Sequence, residues 1–354
     1  MLNSLFTSRK IFVFLLAMGA TALLGACGGG GGGSGYPDIS YTGVQTEAVI
    51  DQTNAADFPF VMLEGGSGSG DVFENLPLGA GIDPEATGGV PDPENIKKAA
   101  DVIIDLIKNQ LGKGTLVTGA SQANPGNCGG EAVLSGSDTG SLITASLKID
   151  NFCEYDSLSG ITVKMHGLMN ISISYTGDYN FTDFIMSITY LKMSVSDGVT
   201  TVSEEFAGTI EITGIDTSSP TFSVSVNFKY AGKVFKIVNL AIVEDMSTNS
   251  ISISGTVYHP VHGYVVITTD VADPFEYYPT KDQFCNGTLR IVGSDGAVPP
   301  GTGTVTVDFT ADSTCSTYDI CVQVNTDPQI CAYDVPWGTE PWPIPAVPAP
   351  APGT

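Results

Sequence analysis

Seven cysteines and three histidines are the residues of this chain best suited to covalent or metal chemistry. No two cysteines form a Cys-x-x-Cys pair, so the spacing of a redox motif or a zinc ribbon is missing. Cys27 stands alone near the amino terminus. The other six form an even set, which suits disulfide bonds in an oxidising compartment. They are Cys128, Cys153, Cys285, Cys315, Cys321 and Cys331.

The histidines make a weaker case for a site. His259 and His262 flank a Pro-Val pair in a predicted turn, and Asp270 and Asp273 follow closely in sequence. No further ligand stands at a spacing typical of a transition-metal site, so a turn that carries two histidines is the favoured interpretation. Any of the three histidines, His166 included, could act as base for a serine, but no nucleophile elbow accompanies them.

The acidic residues do not form a catalytic pattern either. Glu204-Glu205 and Glu244-Asp245 are interpreted as solvated turns rather than as glycosidase carboxylates. No phosphate-binding loop, dinucleotide fingerprint or haem motif is present. We therefore predict a protein that is not an enzyme, that binds no cofactor, and that has no catalytic, cofactor-binding or metal-binding residues.

The net charge of −24, from 14 basic and 38 acidic residues, excludes one class of partner. So acidic a chain repels phosphate backbones and anionic lipid head groups, and no nucleic-acid partner is expected. The charge favours solubility of an exported protein. Weak calcium binding by surface carboxylates is the alternative interpretation.

The first 27 residues have the three parts of an export signal. The basic pair Arg9-Lys10 precedes an apolar run over 11–24, which is shorter than a comfortable membrane span. Leu24-Gly25-Ala26-Cys27 then resembles the lipobox of bacterial lipoproteins. This resemblance implies cleavage before Cys27 and lipidation of its thiol. An ordinary secretory signal with a chance cysteine, or an uncleaved anchor helix, is the alternative.

A glycine-rich stretch follows, from Gly28 to Gly35, and it is typical of a flexible tether. Several acyl chains on Cys27 would anchor it firmly in a bilayer, which is the expected partner. Gly28 stands where an aspartate would imply retention in the inner membrane. The resemblance to lipoproteins therefore implies the outer membrane of a Gram-negative bacterium, with the protein facing the periplasm or the cell surface.

An internal similarity indicates how the six remaining cysteines pair. Cys128–Asp138 matches Cys285–Asp295, and the strand that ends at Cys153 has a counterpart before Cys315. Each unit reads as cysteine, strand, Gly-Ser-Asp turn, strand, cysteine, so a hairpin would bring its two cysteines together. We predict the bonds Cys128–Cys153, Cys285–Cys315 and Cys321–Cys331, each stabilising the fold by ~2–4 kcal/mol.

One helix and many strands must position these residues. Asp92 as N-cap, Pro93 at the first position and Gly112 as the stop predict a helix with a broad apolar face. Beyond it the chain is rich in Val, Ile, Thr, Tyr and Phe, often alternating with Ser or Thr. The predicted strands are Ser141–Asp150, Ile161–Tyr175, Phe184–Val195, Val199–Thr213, Thr221–Tyr230, Val234–Val243 and Ser250–Tyr258.

Hairpin turns over 175–179, 196–198 and 230–233 imply that successive strands are antiparallel neighbours. We predict a mainly β fold, a large antiparallel meander with one wet face, built as a curved sheet, half-barrel or sandwich, and one N-terminal α-helix packed on it. The predicted domains are a signal peptide (1–26), a lipidated cysteine and tether (27–35), an irregular segment (36–91), a helix-plus-β domain (92–336) and a proline-rich tail (337–354).

A second resemblance concerns two blocks of the mature chain. Tyr41–Ala55 and Ser254–Thr269 resemble segments of a group of uncharacterised proteobacterial outer-membrane lipoproteins. The resemblance implies a shared strand-turn-strand fold and no particular reaction. The leading hypothesis is a membrane-anchored lipoprotein whose β domain is a non-enzymatic structural or interaction module. The alternatives are a periplasmic carrier of lipid or another apolar ligand and, third, a hydrolase.

Overall fold

The computed structural model describes residues 35–51, 54, 121–157, 160–177, 180–196, 198–199, 201–230, 232–278, 283–284, 286–299, 301–311 and 317–336. The signal peptide, Cys27, the predicted helix beginning at Asp92, the cysteines Cys285 and Cys315, and the proline-rich tail lie outside these residues. Within them the chain forms strands and turns, and none of its segments is a helix long and apolar enough to cross a membrane.

Sixteen strands are found in the described residues. They are β1 (Ser121–Pro125), β2 (Gly129–Asp138), β3 (Leu142–Asp156), β4 (Ile161–Thr176), β5 (Asn180–Ser196), β6 (Thr201–Thr213), β7 (Thr221–Tyr230), β8 (Lys233–Asp245), β9 (Ser250–His259), β10 (Gly263–Thr269), β11 (Phe275–Tyr278), β12 (Gln283–Phe284), β13 (Gly287–Ser294), β14 (Thr302–Ala311), β15 (Thr317–Val324) and β16 (Ile330–Pro336).

The mainly β, antiparallel prediction is confirmed, and the seven strands predicted from sequence correspond to β3–β9. Their alternation explains why. In β4, Ile171, Ile173 and Tyr175 are buried, whereas Ser172 and Ser174 between them are only half-buried. Successive side chains of a strand point to opposite faces, so this pattern gives one apolar face and one polar face.

The described residues form two compact units. The first unit contains residues 36–41 and the strands from β1 to the start of β8, each antiparallel to the next in chain order. Its apolar face is built from rows that cross the strands in register. One such row places five large buried side chains on neighbouring strands, interrupted by Gly208: Leu134, Leu147, Met169, Ile188 and Val226.

A β-bulge interrupts the pairing of β5 with β6, where the register shifts between Ile188 and Leu191. A bulge places two residues of one strand opposite one residue of its neighbour and re-aims the side chains beside it. Tyr190 lies in this bulge and contacts Tyr36 and His166 on the polar face. The bulge therefore sets the position of an aromatic side chain next to the polar rows described below.

The second unit contains residues 42–51 and the strands from the end of β8 to β16. Its sheet has the order β8-β9-β10-β13-β14-β15-β16, and β11 pairs with β9 and β12. We call residues 42–51 the strap, because they bond to two strands of the sheet through backbone groups. Glu47 bridges to Tyr264 of β10 and Val49 to Ser294 of β13, both in parallel orientation.

The strap requires room at the strand that it crosses. A side chain at Gly293 would collide with the carbonyl of Ala48. Ala48 donates its amide to Tyr264, and Ile50 donates its amide to Ser294, each at 2.8 Å. Because both strap side chains are buried, the strap contributes to the core of the second unit.

Two of the three expected disulfides lie within the described residues. Cys128 is bonded to Cys153 at the open end of the β2–β3 hairpin, with the two Cα atoms 5.1 Å apart. Cys321 and Cys331 face each other on β15 and β16 and are also bonded. Each bond links antiparallel neighbours, so it adds a covalent connection to an existing hairpin.

Candidate functional site

The polar face of the first unit carries rows of hydroxyl and amide side chains. Strand pairing aligns these residues because all the strands from β2 to β7 are antiparallel and in register, and adjacent strands in a sheet lie about 4.8 Å apart. One row contains Ser135, Ser146, Asn170, Ser187, Thr209 and Ser225. The adjacent row has the hydroxyl residues Ser137, Thr144, Ser172 and Ser223, and it also contains Ile185 and the charged Glu211.

A groove of about 520 Å³ lies over these rows, between β2 and β5. Its polar lining consists of Ser135, Thr144, Ser146, Asn170, Ser172 and Ser187. The remaining lining residues are glycine or apolar, and none of the lining residues is charged. We take this groove as the candidate functional site.

The chemistry of the groove follows from its side chains. Hydroxyl and amide groups can donate and accept hydrogen bonds, and both remain neutral at every physiological pH. The strand backbone is already paired within the sheet, so the side chains supply the groove with its hydrogen-bonding capacity. Nucleophilic catalysis by a serine needs a base beside it, and the lining contains none. The lining can hydrogen-bond a neutral ligand.

A row of charged residues runs along the same face, displaced from the groove. His166, Lys192, Glu205 and Lys229 are aligned across β4–β7. The Lys229 ammonium lies 3.2 Å from both carboxylate oxygens of Glu205, and the Lys192 ammonium lies 3.8 Å from one of them. The Nδ1 atom of His166 lies 3.6 Å from Asp150, which is too long for a hydrogen bond.

Residues 36–41 pack on this face between the charged row and the groove. The ring of Tyr36 stacks on Tyr190 with centroids 5.6 Å apart, and its hydroxyl donates to the Gly167 carbonyl at 3.5 Å. At the other end of this segment, the side-chain amide of Asn227 donates a hydrogen bond to the backbone carbonyl of Ile39 at 2.9 Å. Burial, followed by the negative charge of Glu205, raises the pKa of the Tyr190 hydroxyl, so Tyr190 is neutral.

The histidines and aspartates considered as metal ligands do not converge. Nδ1 of His259 accepts hydrogen bonds from the amides of Val261 and His262, both at 3.2 Å, and the two imidazole rings stack. Asp270 instead accepts a hydrogen bond from Arg290 at 2.7 Å, and Asp273 accepts one from a threonine hydroxyl. Within the described residues, no group of three or more His, Cys, Asp or Glu could hold a metal ion.

The interpretation of Glu204-Glu205 as a solvated turn was wrong. Both residues lie within β6. Strand alternation places Glu205 on the polar face with its lysines and Glu204 on the apolar face, opposite buried Met193. Burial raises the pKa of the Glu204 carboxyl to about 7. The sequence signal was available, because Glu204 has the same parity as Phe206, Ile210 and Ile212.

The groove itself was not predicted. Alternation of serine with apolar residues predicted a wet face, but the alignment of Ser146 with Asn170 and Ser187 depends on the register of three strands. No family model, no curated protein and no solved structure matches this chain.

Proposed function

We propose that this protein is a lipid-anchored interaction module of the bacterial envelope and that it is not an enzyme. The single observation that carries the binding role is the uncharged, hydroxyl- and amide-lined groove on the polar face of the first unit. The anchoring role rests on Leu24-Gly25-Ala26-Cys27, its resemblance to the lipobox, and the glycine tether that follows.

Binding explains the groove better than catalysis does. A hydrolase would need one of the histidines beside a serine or an acid in a cleft. Nδ1 of His259 accepts hydrogen bonds from the backbone of its own turn. His166 lies beside Tyr36, Tyr190 and Asp150 rather than in the groove. A carrier of apolar ligands would need an enclosed, largely apolar cavity, whereas this groove is open and has serine, threonine and asparagine in its lining.

We further infer that the helix predicted from Asp92 packs on the apolar face of the sheet, as in a half-barrel or sandwich. Its broad apolar side would then cover rows such as the one that contains Leu147 and Met169. The mature protein would lie at the outer membrane, anchored through Cys27.

Cell fractionation tests the proposal. In a Gram-negative host, we expect the wild-type chain to stay in the membrane fraction after a carbonate wash and to incorporate labelled palmitate. Cys27→Ser should lose both properties, and Gly28→Asp is the matched control. By resemblance to lipoproteins, it should keep the lipid while moving the protein to the inner membrane of an enteric host. A Cys27→Ser protein that stays with washed membranes contradicts the anchoring proposal.

A further inference from the structure

The groove is neutral although the chain is strongly acidic. The sequence carries 38 acidic and 14 basic residues, yet none of the residues that line the groove is charged. The row that contains His166, Lys192 and Glu205 lies apart from the groove on the same face. Two further charged side chains, Lys148 and Glu211, lie on this face beside the groove but are not among its lining residues. The ligand of the groove should therefore be recognised by hydrogen bonds rather than by charge.

We propose that this groove binds a neutral oligosaccharide or polysaccharide chain. This inference rests on the proposed interaction function and names its ligand class. Sugar hydroxyls donate and accept hydrogen bonds, as do the serine, threonine and asparagine side chains that line the groove. A charged ligand would leave water without gaining an opposite charge there, and an apolar ligand would leave the lining hydroxyls unpaired.

The dimensions of the groove suit a short run of sugar rings. It crosses four strands, which corresponds to three interstrand spacings or about 14 Å. Its volume of about 520 Å³ lies within the ~300–1,000 Å³ typical of ligand sites. Side chains on strands of a sheet are held by the backbone ladder, so Ser146, Asn170 and Ser187 present their polar groups at fixed spacing.

An aromatic side chain stands at one side of this surface. Along β4 and β5, Leu168 and Tyr190 form the pair that follows Asn170 and Ser187, after the bulge. Two residues of a strand span about 6.7 Å, and Tyr36 stacks on Tyr190 at that level. The C–H faces of sugar rings pack against aromatic rings, so a sugar chain that bends or branches along the strands at Asn170 and Ser187 would approach Tyr36, which is only half-buried.

Titration of the full mature chain in detergent against neutral hexasaccharides tests the proposal. The probes are maltohexaose, cellohexaose, xylohexaose and chitohexaose, with hexagalacturonic acid as an anionic probe. Saturable binding of at least one neutral hexasaccharide, at least tenfold tighter than that of the anionic one, is expected. Absence of binding by all four neutral probes, or preference for the anionic probe, overturns the inference.

Two lining variants locate the binding site. Asn170→Leu and Ser146→Val keep approximate size and remove hydrogen-bonding groups, and each should weaken binding at least tenfold. Ser252→Val, at an exposed position of β9 outside the groove, is the matched control and should bind as the wild type does. Unchanged melting temperatures show that the variants fold. Wild-type affinity in folded Asn170→Leu and Ser146→Val proteins overturns the assignment to this groove.

The outcomes separate this inference from the proposed function. Chromatography of the incubated hexasaccharide shows whether the sugar is cut. Cleavage would refute the non-enzymatic function while supporting the glycan site. Intact sugar that binds, together with retention of the wild-type chain in washed membranes, supports both.

Discussion

The side-chain amide of Asn325 donates a hydrogen bond to the backbone carbonyl of Ile50 at 3.1 Å, although 275 positions separate the two residues. The Asn325 carbonyl oxygen also accepts a bond from the amide of Thr304 at 2.8 Å, and its backbone has φ = 52°. The Asn325 side chain thus connects the strap to β14. The Asn325 backbone is in the left-handed region, which asparagine tolerates better than most residues do.

Replacement of Asn325 should loosen the strap. Asn325→Ala removes both side-chain bonds, and we expect a loss of about 1–3 kcal/mol in the free energy of unfolding. Asn325→Gly keeps the backbone conformation and loses the same bonds, so it isolates the side-chain contribution. Hydrogen exchange of the Ala48 and Ile50 amides reports on the strap directly. Unaltered exchange in both variants would show that the strap does not depend on this residue.

The half-buried Glu204, whose carboxyl has a raised pKa, predicts how stability depends on pH. Its pKa is about 7 in the folded chain, against an ordinary value of 4.5. The folded state therefore binds the proton more tightly, and the stabilisation that the protonated carboxyl provides is complete below about pH 4.5. It is lost as the pH rises through 7, by an amount on the order of 1–3 kcal/mol.

Glu204→Gln should abolish this part of the pH dependence and raise stability at pH 8. Its control is Glu205→Gln on the opposite face, which removes the partner of Lys229 and should lower stability without altering the slope that Glu204 causes. Urea denaturation between pH 4.5 and pH 8.5 measures both. A Glu204→Gln protein that keeps the wild-type slope would refute the assignment.

The two disulfides within the described residues should stabilise the chain unequally. Cys128 and Cys153 are 25 positions apart, and Cys321 and Cys331 are 10 apart. Because a bond that closes a longer loop restricts the unfolded chain more, we expect losses of about 3.5 and about 2.7 kcal/mol on replacement by paired serines. Urea denaturation of the two double variants compares them. A larger loss for the shorter loop would indicate that native packing, rather than loop length, dominates.

Replacement of His259 tests whether its Nδ1 atom holds the following turn by accepting two backbone hydrogen bonds. His259→Phe fills the space without an acceptor, so the amides of Val261 and His262 should exchange faster and the protein should lose about 1 kcal/mol. His259→Asn restores an acceptor, since an asparagine side chain bonds the backbone two residues on. Protection of both amides in the Asn variant and its loss in the Phe variant is the expected result. If the amides of Val261 and His262 exchange at the same rate in both variants, a group other than the side chain at position 259 protects them.

The sequence correctly predicted the features that follow from a local residue pattern, namely strands and hairpins. Alternation over Ile171–Tyr175 marks β4, and the repeated cysteine-strand-turn unit marks the hairpin that Cys128 and Cys153 close. It missed features that depend on distant partners. The strap has no periodic pattern, and its bonds to Tyr264 and Ser294 join residues more than 200 positions apart. The groove depends on the register of neighbouring strands, and the position of Tyr190 depends on a bulge; the pattern of a single strand specifies neither.

The contact of Tyr36 with the sheet limits how far the folded part of the chain can lie from a membrane. If lipid holds Cys27, only the eight residues Gly28–Gly35 separate the membrane surface from a ring that is packed in place. A glycine chain of that length spans about 16 Å on average and ~28 Å when fully drawn out. A chain anchored in this way would therefore reach only those ligands that lie within a few tens of ångströms of the bilayer.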